Sequence, residues 1–177
     1  MIALLYDFES TGLIASHLIP LKSQPFATEF YGCLADLSTG EVINELDLLI
    51  RPPIPISEEI TRITGIDDAL LKDAPAFFQV ADRIQSAFES APLIIAHNLS
   101  YDKELADLEF ERLARKVTWP RLLCTVEATL HLKGFRLSLT GLHEHLFGEG
   151  FPAAHRARND VMAMLRCCAE LHRLGEI

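Results

Sequence analysis

Short, almost wholly apolar runs alternate along this chain with stretches in which apolar residues recur every three or four positions. That alternation predicts a sheet of buried strands interleaved with amphipathic helices. Ile2 to Leu5 is bounded by charged and turn residues, which predicts a strand buried on both faces in the middle of a sheet. After a connection containing Pro20 and Pro25, Thr28 to Leu37 and Glu41 to Ile50 predict a hairpin around Ser38, Thr39 and Gly40. In its second arm Val42, Leu46, Leu48 and Ile50 alternate with Glu45 and Asp47, so one face is expected to be buried and the other wet. Leu93 to Ala96 predicts another buried strand, and Arg121 to Thr125 an edge strand.

Helices are predicted between these runs. Ser57 offers an N-cap for a short helix to about Ile63 that ends near Gly65. Phe77, Val80, Ala81, Ile84 and Phe88 form an amphipathic stripe that starts after Pro75. Tyr101, Leu105 and Leu108 mark the buried face of the next helix, with Asp102 in its first turn pointing to one flank. Val126 to Lys133 and Leu139 to Leu146 predict helices broken by Gly134 and Gly148. A final helix is expected from about Arg158 to Leu174, burying Val161, Met164, Leu165, Cys168 and Leu171. The stretch Ala153 to Ala157 precedes it as a connection.

Composition narrows the class. A chain of 177 residues, 49% hydrophobic and 23% charged, is long enough for one sizeable core, and a single domain over 1–177 is expected. The sequence shows neither an apolar run of membrane-spanning length nor a signal-peptide pattern, and a cytoplasmic location is expected. Cys33, Cys124, Cys167 and Cys168 lack C-x-x-C spacing and are expected to be reduced core residues, neither zinc ligands nor disulfide partners.

The net charge of −9 argues against binding nucleic acid through a broad basic surface. Residues 1–100 carry 5 Lys and Arg against 14 Asp and Glu, while residues 101–177 carry 11 against 11. Bound divalent cations reverse a local field, so this acidity does not exclude a polyanionic partner.

Candidate chemistry sits at the ends of these elements. Asp7 and Glu9 lie two apart, so on a strand they project from one face about 6 to 7 Å apart and can share a metal. Ser10, Thr11 and Gly12 follow as a polar turn that places them at an open edge. Leu93 to Ala96 likewise ends in His97 and Asn98 before a helix that carries Asp102. Asp102 has an ordinary alternative role, compensating the positive end of its helix. His155 precedes Asp160 by five residues, and the two converge only if His155 still lies in the connecting loop. On a continuous helix they diverge by about 140°. A surface histidine and a dipole-compensating aspartate are the plain alternatives.

In order along the chain, D-F-E-S-T-G-L at Asp7 to Leu13, H-N-L-S-Y-D at His97 to Asp102 and H-R-A-R-N-D at His155 to Asp160 resemble the three exonuclease motifs of the DnaQ-like superfamily, DEDDh branch, the family of the proofreading epsilon subunit of bacterial DNA polymerase III. I-T-G-I at Ile63 to Ile66 and L-S-L-T-G-L at Leu137 to Leu142 resemble further landmarks, so the likeness covers nearly the whole chain. Ser10 stands where Thr is frequent and Tyr101 where Phe is frequent. Neither departure removes a functional group.

The resemblance implies an α/β, RNase H-like fold, with a mixed five-stranded sheet whose first three strands are antiparallel, flanked by helices. It implies that Asp7, Glu9, Asp102 and Asp160 hold two Mg²⁺ ions, with Mn²⁺ as substitute, and that His155 is the general base. Two-metal phosphodiester cleavage and hard oxygen ligands are consistent with that set. The resemblance further implies attack from a free 3′ end with release of nucleoside 5′-monophosphates. Thr11, Gly12 and Leu13 resemble the stretch that contacts the terminal nucleotide, Leu13 as a wedge, with Asn98 and Tyr101 as further substrate contacts. Turn formation for Thr11 and Gly12, core packing for Leu13 and Tyr101, and a helix N-cap for Asn98 are the alternatives. Arg112, Arg115, Lys116 and Arg121 are either a phosphate-tracking patch or solvated helix charges.

The expected substrate is single-stranded or frayed DNA. Short RNA is the alternative, and a non-catalytic partner-binding module a third that retention of all four acids and the histidine argues against. A DNA polymerase is the partner the resemblance brings in. Helix signals reach to within a few residues of Ile177, which favours a stand-alone enzyme over a firmly bound subunit.

Overall fold

The computed structural model describes residues 1–152 and 155–177. Five strands form one sheet: β1 (Ile2–Ser10), β2 (Ala27–Asp36), β3 (Glu41–Leu49), β4 (Leu93–Ala96) and β5 (Arg121–Cys124). Their order is β3-β2-β1-β4-β5. β1 to β3 are mutually antiparallel, whereas β4 runs parallel to β1 and β5 parallel to β4. β1 therefore lies in the middle of a mixed sheet, as its apolar run predicts.

Alternation along β1 separates two cores. Leu4, Tyr6 and Phe8 face a cluster built with α2 (Phe77–Ser90) and α3 (Leu99–Arg112), whereas Ala3 and Leu5 pack against α7 (Ala157–Leu174). All five stripe residues of α2 are buried, each side chain worth about 1.5–3 kcal/mol for the larger apolar residues. Asp7 and Glu9 continue the alternation on the α7 side. β1 runs on through the carboxylates to Ser10, five residues beyond its apolar run, because Tyr6 to Glu9 keep pairing with β2.

Two strand details depart from the sequence pattern. Leu34 pairs with Asn44 and Ala35 with Val42, so Ile43 is an extra residue in β3. This bulge turns Val42 onto the α7 side, while Leu46 and Leu48 stay with the aromatic cluster on the other. Thr125 does not end the edge strand but opens α4 (Thr125–Ala128), and Thr129 separates this from α5 (Leu130–Lys133).

Helix ends follow the chemistry of their sequences. In α1 (Glu58–Thr64) the Ser57 hydroxyl accepts from the Ile60 N–H, and Gly65 closes the helix in the left-handed region. In α6 (Leu139–Phe147) Ser138 accepts from Gly141, and Gly148 takes the same left-handed role. The four cysteines are free, three of them buried. Among the described residues no helix is long and apolar enough to cross a membrane. Ala153 and Ala154, in the expected connection before α7, lie outside the described residues.

Candidate active site

β4 stops at Ala96, leaving the far end of β1 without a parallel partner. Asp102 takes its place: Oδ1 accepts the Phe8 N–H at 3.1 Å. The buried face of α3 is accordingly Leu99, Asp102, Leu105, Ala106, Glu109 and Phe110, while Tyr101 and Leu108 are half-buried. Asp102 thus lies in the stripe and not on its flank. Glu109, two turns on, is buried in the same way and accepts from the Ala27 N–H at 2.7 Å. Apolar periodicity passes over both, because each carboxylate is buried to bond a strand backbone.

Carboxylate oxygens of Asp7, Glu9 and Asp160 lie within 4.8 Å of one another. Asp102 lines the same cleft, of about 630 Å³, with Asp7, Asp160, His155, Leu13, Asn98 and Tyr101. The sequence-predicted acids from β1, α3 and α7 therefore come together with the histidine. His155 precedes the helix, with φ of 67°, and its N–H donates to Asp160 Oδ2 at 3.1 Å. Histidine is among the residues that adopt this left-handed conformation more readily. The loop placement required for convergence is thus met.

The electrostatics are those of crowded anions. Burial, and then repulsion from Asp102, Glu9 and Asp160, raises Asp7 well above the carboxylate range. Glu9 is pushed up to about 8 by burial and then by Asp160 and Glu29, with Arg156 opposing. Burial also raises Asp102, against the hydrogen bond from Phe8, and raises Asp160 against the bond from His155. Oδ1 of Asp160 is buried with no hydrogen-bond partner among the described residues. Convergent hard oxygens, one of them orphaned and all disfavouring their charged forms, fit a divalent cation.

The remaining sequence-predicted residues divide. Leu13 is 85% exposed, so it does not serve core packing. Thr11 is tied to Phe26, its N–H donating to the Phe26 carbonyl at 2.9 Å and its hydroxyl accepting the Phe26 N–H at 3.0 Å, which is turn formation. Neither Thr11 nor Gly12 lines the cleft. The Tyr101 hydroxyl meets Ser10 Oγ at 2.7 Å and donates to the Gly12 carbonyl at 2.8 Å, pinning that turn to α3. Asn98 has φ of 63° and makes no capping bond; its Oδ1 accepts from Arg136 at 2.8 Å. Arg112 donates to the Leu21, Gln24 and Pro25 carbonyls, and Arg115 to Asp82 and Gln85. These two arginines hold loops and helices together.

Sequence reasoning missed Glu29. Its buried carboxylate receives Nη2 of Arg156 at 2.7 Å and the Ala157 N–H at 2.9 Å, fixing the start of α7 opposite Glu9 in the ladder. The available signal was a glutamate inside the apolar run Ala27 to Leu34, which needs a partner to be buried.

This mixed five-stranded sheet flanked by helices, with its acidic cleft, is an RNase H-like α/β domain. The exonuclease family model (RNase_T) matches residues 4–167, and the chain belongs to that family. Among its relatives, the PolC-type DNA polymerase III of Caldanaerobacter subterraneus subsp. tengcongensis is 27% identical over 97% of this chain and 12% of its own length. The epsilon subunit of DNA polymerase III from Pasteurella multocida is 28% identical over 79% of this chain and 55% of its own. The chain thus spans about half or less of these two relatives. Among solved structures, exonuclease X in complex with 5′ overhanging duplex DNA aligns with a TM-score of 0.70 and 21% identity, over 98% of this chain and 93% of that one. The nuclease domain of 3′hExo, a DEDDh family member bound to rAMP, aligns with 0.81 and 16%, over 98% and 92%.

Proposed function

We propose that residues 1–177 form a single 3′-to-5′ exonuclease domain that hydrolyses single-stranded or frayed DNA from its 3′ end and releases nucleoside 5′-monophosphates. The observation that carries this reading is the meeting of Asp7, Glu9 and Asp160 oxygens within 4.8 Å, where Asp7 and Asp160 share a cleft with Asp102 and His155. Asp7, Glu9, Asp102 and Asp160 would hold two Mg²⁺ ions, with Mn²⁺ as substitute, which supply positive charge to the attacking and leaving oxygens of an in-line displacement.

The chain's own groups do the rest. The His155 imidazole accepts the proton of the attacking water. The water oxygen bonds to phosphorus as the bond to the 3′ oxygen breaks, and the leaving oxygen takes up a proton. The products are a nucleoside 5′-monophosphate and a strand shortened by one residue with a free 3′ hydroxyl. Leu13, exposed at the cleft mouth, stacks against the terminal bases. Tyr101 keeps the Ser10 to Gly12 turn, and so Leu13, in place.

The test is digestion of matched 5′-labelled DNA and RNA oligonucleotides with Mg²⁺ or Mn²⁺. A ladder shortening from an open 3′ end, blocked when that end is capped, supports the reading. Cutting of a circular single strand overturns the polarity. Faster digestion of RNA overturns the DNA preference, because discrimination runs through the 2′ hydroxyl.

A further inference from the structure

The cleft that takes a polyanion is lined by Asp7, Asp102 and Asp160, and among the described lining residues Arg136 is the one lysine or arginine. It lies in the segment between α5 and α6. Two neighbours hold it. The Arg136 guanidinium donates through Nη2 to Asn98 Oδ1 at 2.8 Å. Beside it, the half-buried His97 ring meets Thr125 Oγ1 through Nδ1 at 2.8 Å and is hydrogen-bonded to the backbone of Leu137, the residue after Arg136. His97 and Asn98 therefore bracket the arginine, one through the main chain and one through the side chain.

We propose that Arg136 holds a phosphate of the incoming strand beyond the scissile linkage, and that His97 and Asn98 are positioning residues that aim it. The inference rests on the nuclease reading above. A strand threading to the cluster passes four carboxylates, and the described lining offers one arginine to its phosphates. Asn98 satisfies one nitrogen and leaves other guanidinium donors to meet phosphate oxygens, a fork geometry suited to them. The left-handed backbone of Asn98 turns its amide toward Arg136 and away from helix capping.

Two substrates separate this role from the chemistry: a single-stranded oligonucleotide, and the p-nitrophenyl ester of thymidine 5′-monophosphate, which has a scissile phosphodiester and no further phosphate. With Mn²⁺ present, Arg136→Gln is expected to raise KM for the oligonucleotide by about ten- to a hundredfold, with kcat within about twofold, and to leave the ester unaffected. The salt slope of log(kcat/KM) should fall by about 0.7, one phosphate contact on a single strand. Arg136→Lys should restore that slope. Asn98→Ala should give a smaller rise in KM and add little to Arg136→Gln. Equal losses on both substrates, no loss on either, or fully additive losses for Asn98 and Arg136 overturn the inference alone. A wild-type protein that cleaves neither substrate overturns the nuclease reading and takes the inference with it.

Discussion

Arg156 closes on the Glu29 carboxylate with two nitrogens, Nη2 at 2.7 Å from Oε1 and Nε at 3.1 Å from Oε2. Glu29 is 3% exposed and Arg156 38%, and Glu29 stands opposite Glu9 in the β1–β2 ladder. Removing the arginine leaves a buried anion beside a second one. Arg156→Ala is therefore expected to cost about 3–5 kcal/mol. Glu29→Ala, which leaves a partly solvated guanidinium and one unbonded N–H, should cost about 1–3 kcal/mol. Urea unfolding ranks the two, and the opposite order would refute this account of the pair.

Metal-free stability should fall as pH rises. A carboxylate whose folded pKa is raised holds its proton more tightly in the folded state, so between its unfolded value near 4.3 and its folded value the folded state binds the extra proton and stability declines. Glu9 at about 8 extends that window past neutral pH, and Asp7, Asp102 and Asp160 act in the same direction. In EDTA, the contribution of the cluster should make the melting temperature drop from pH 5 to pH 8. Saturating Mn²⁺ should stabilise most at pH 8, by about 2.7 kcal/mol at 100 times its Kd. A flat Mn²⁺ effect across this range counts against the cluster as the binding site.

His155 and Asp160 are joined by one hydrogen bond yet should separate in function. His155→Ala keeps the carboxylates and should retain the Mn²⁺-induced rise in melting temperature, while turnover falls about 10² to 10⁴-fold. Asp160→Ala should lose both. Wild-type turnover in His155→Ala, with chemistry shown to be rate-limiting, removes the histidine from the mechanism.

Leu13 tests whether exposure here is functional. Leu13→Ala should leave stability within about 0.5 kcal/mol, as expected of a surface substitution, while raising KM for oligonucleotides. A clear loss of stability instead would assign Leu13 to packing.

Much of this architecture is legible because buried strands and amphipathic helices write their periods directly into the chain. Leu93 to Ala96 and the α2 stripe coincide with their predicted residues. The acids were legible as motifs, but the apolar pattern misplaced Asp102, since a hydrogen-bonded carboxylate can occupy a stripe position that periodicity reserves for apolar side chains. The Ile43 bulge was hidden for a related reason: both sides of the insertion keep an apolar and polar alternation that reads as one strand. Glu29 and Arg136 are bonded to partners more than thirty residues away, and no local pattern records such pairings.

The placement of Asp160 on α7 has a consequence for when the protein becomes dangerous to nucleic acid. Asp160 lies 151 positions after Glu9, on a helix that docks against β1 and β2. Bringing such distant groups together carries a loop-closure cost that only the assembled sheet and helix repay. On the function proposed above, a chain with α7 undocked would hold an incomplete set of metal ligands and would be inert. Hydrolytic capacity would then depend on the docking of α7 and should be among the first properties lost when that helix lifts away.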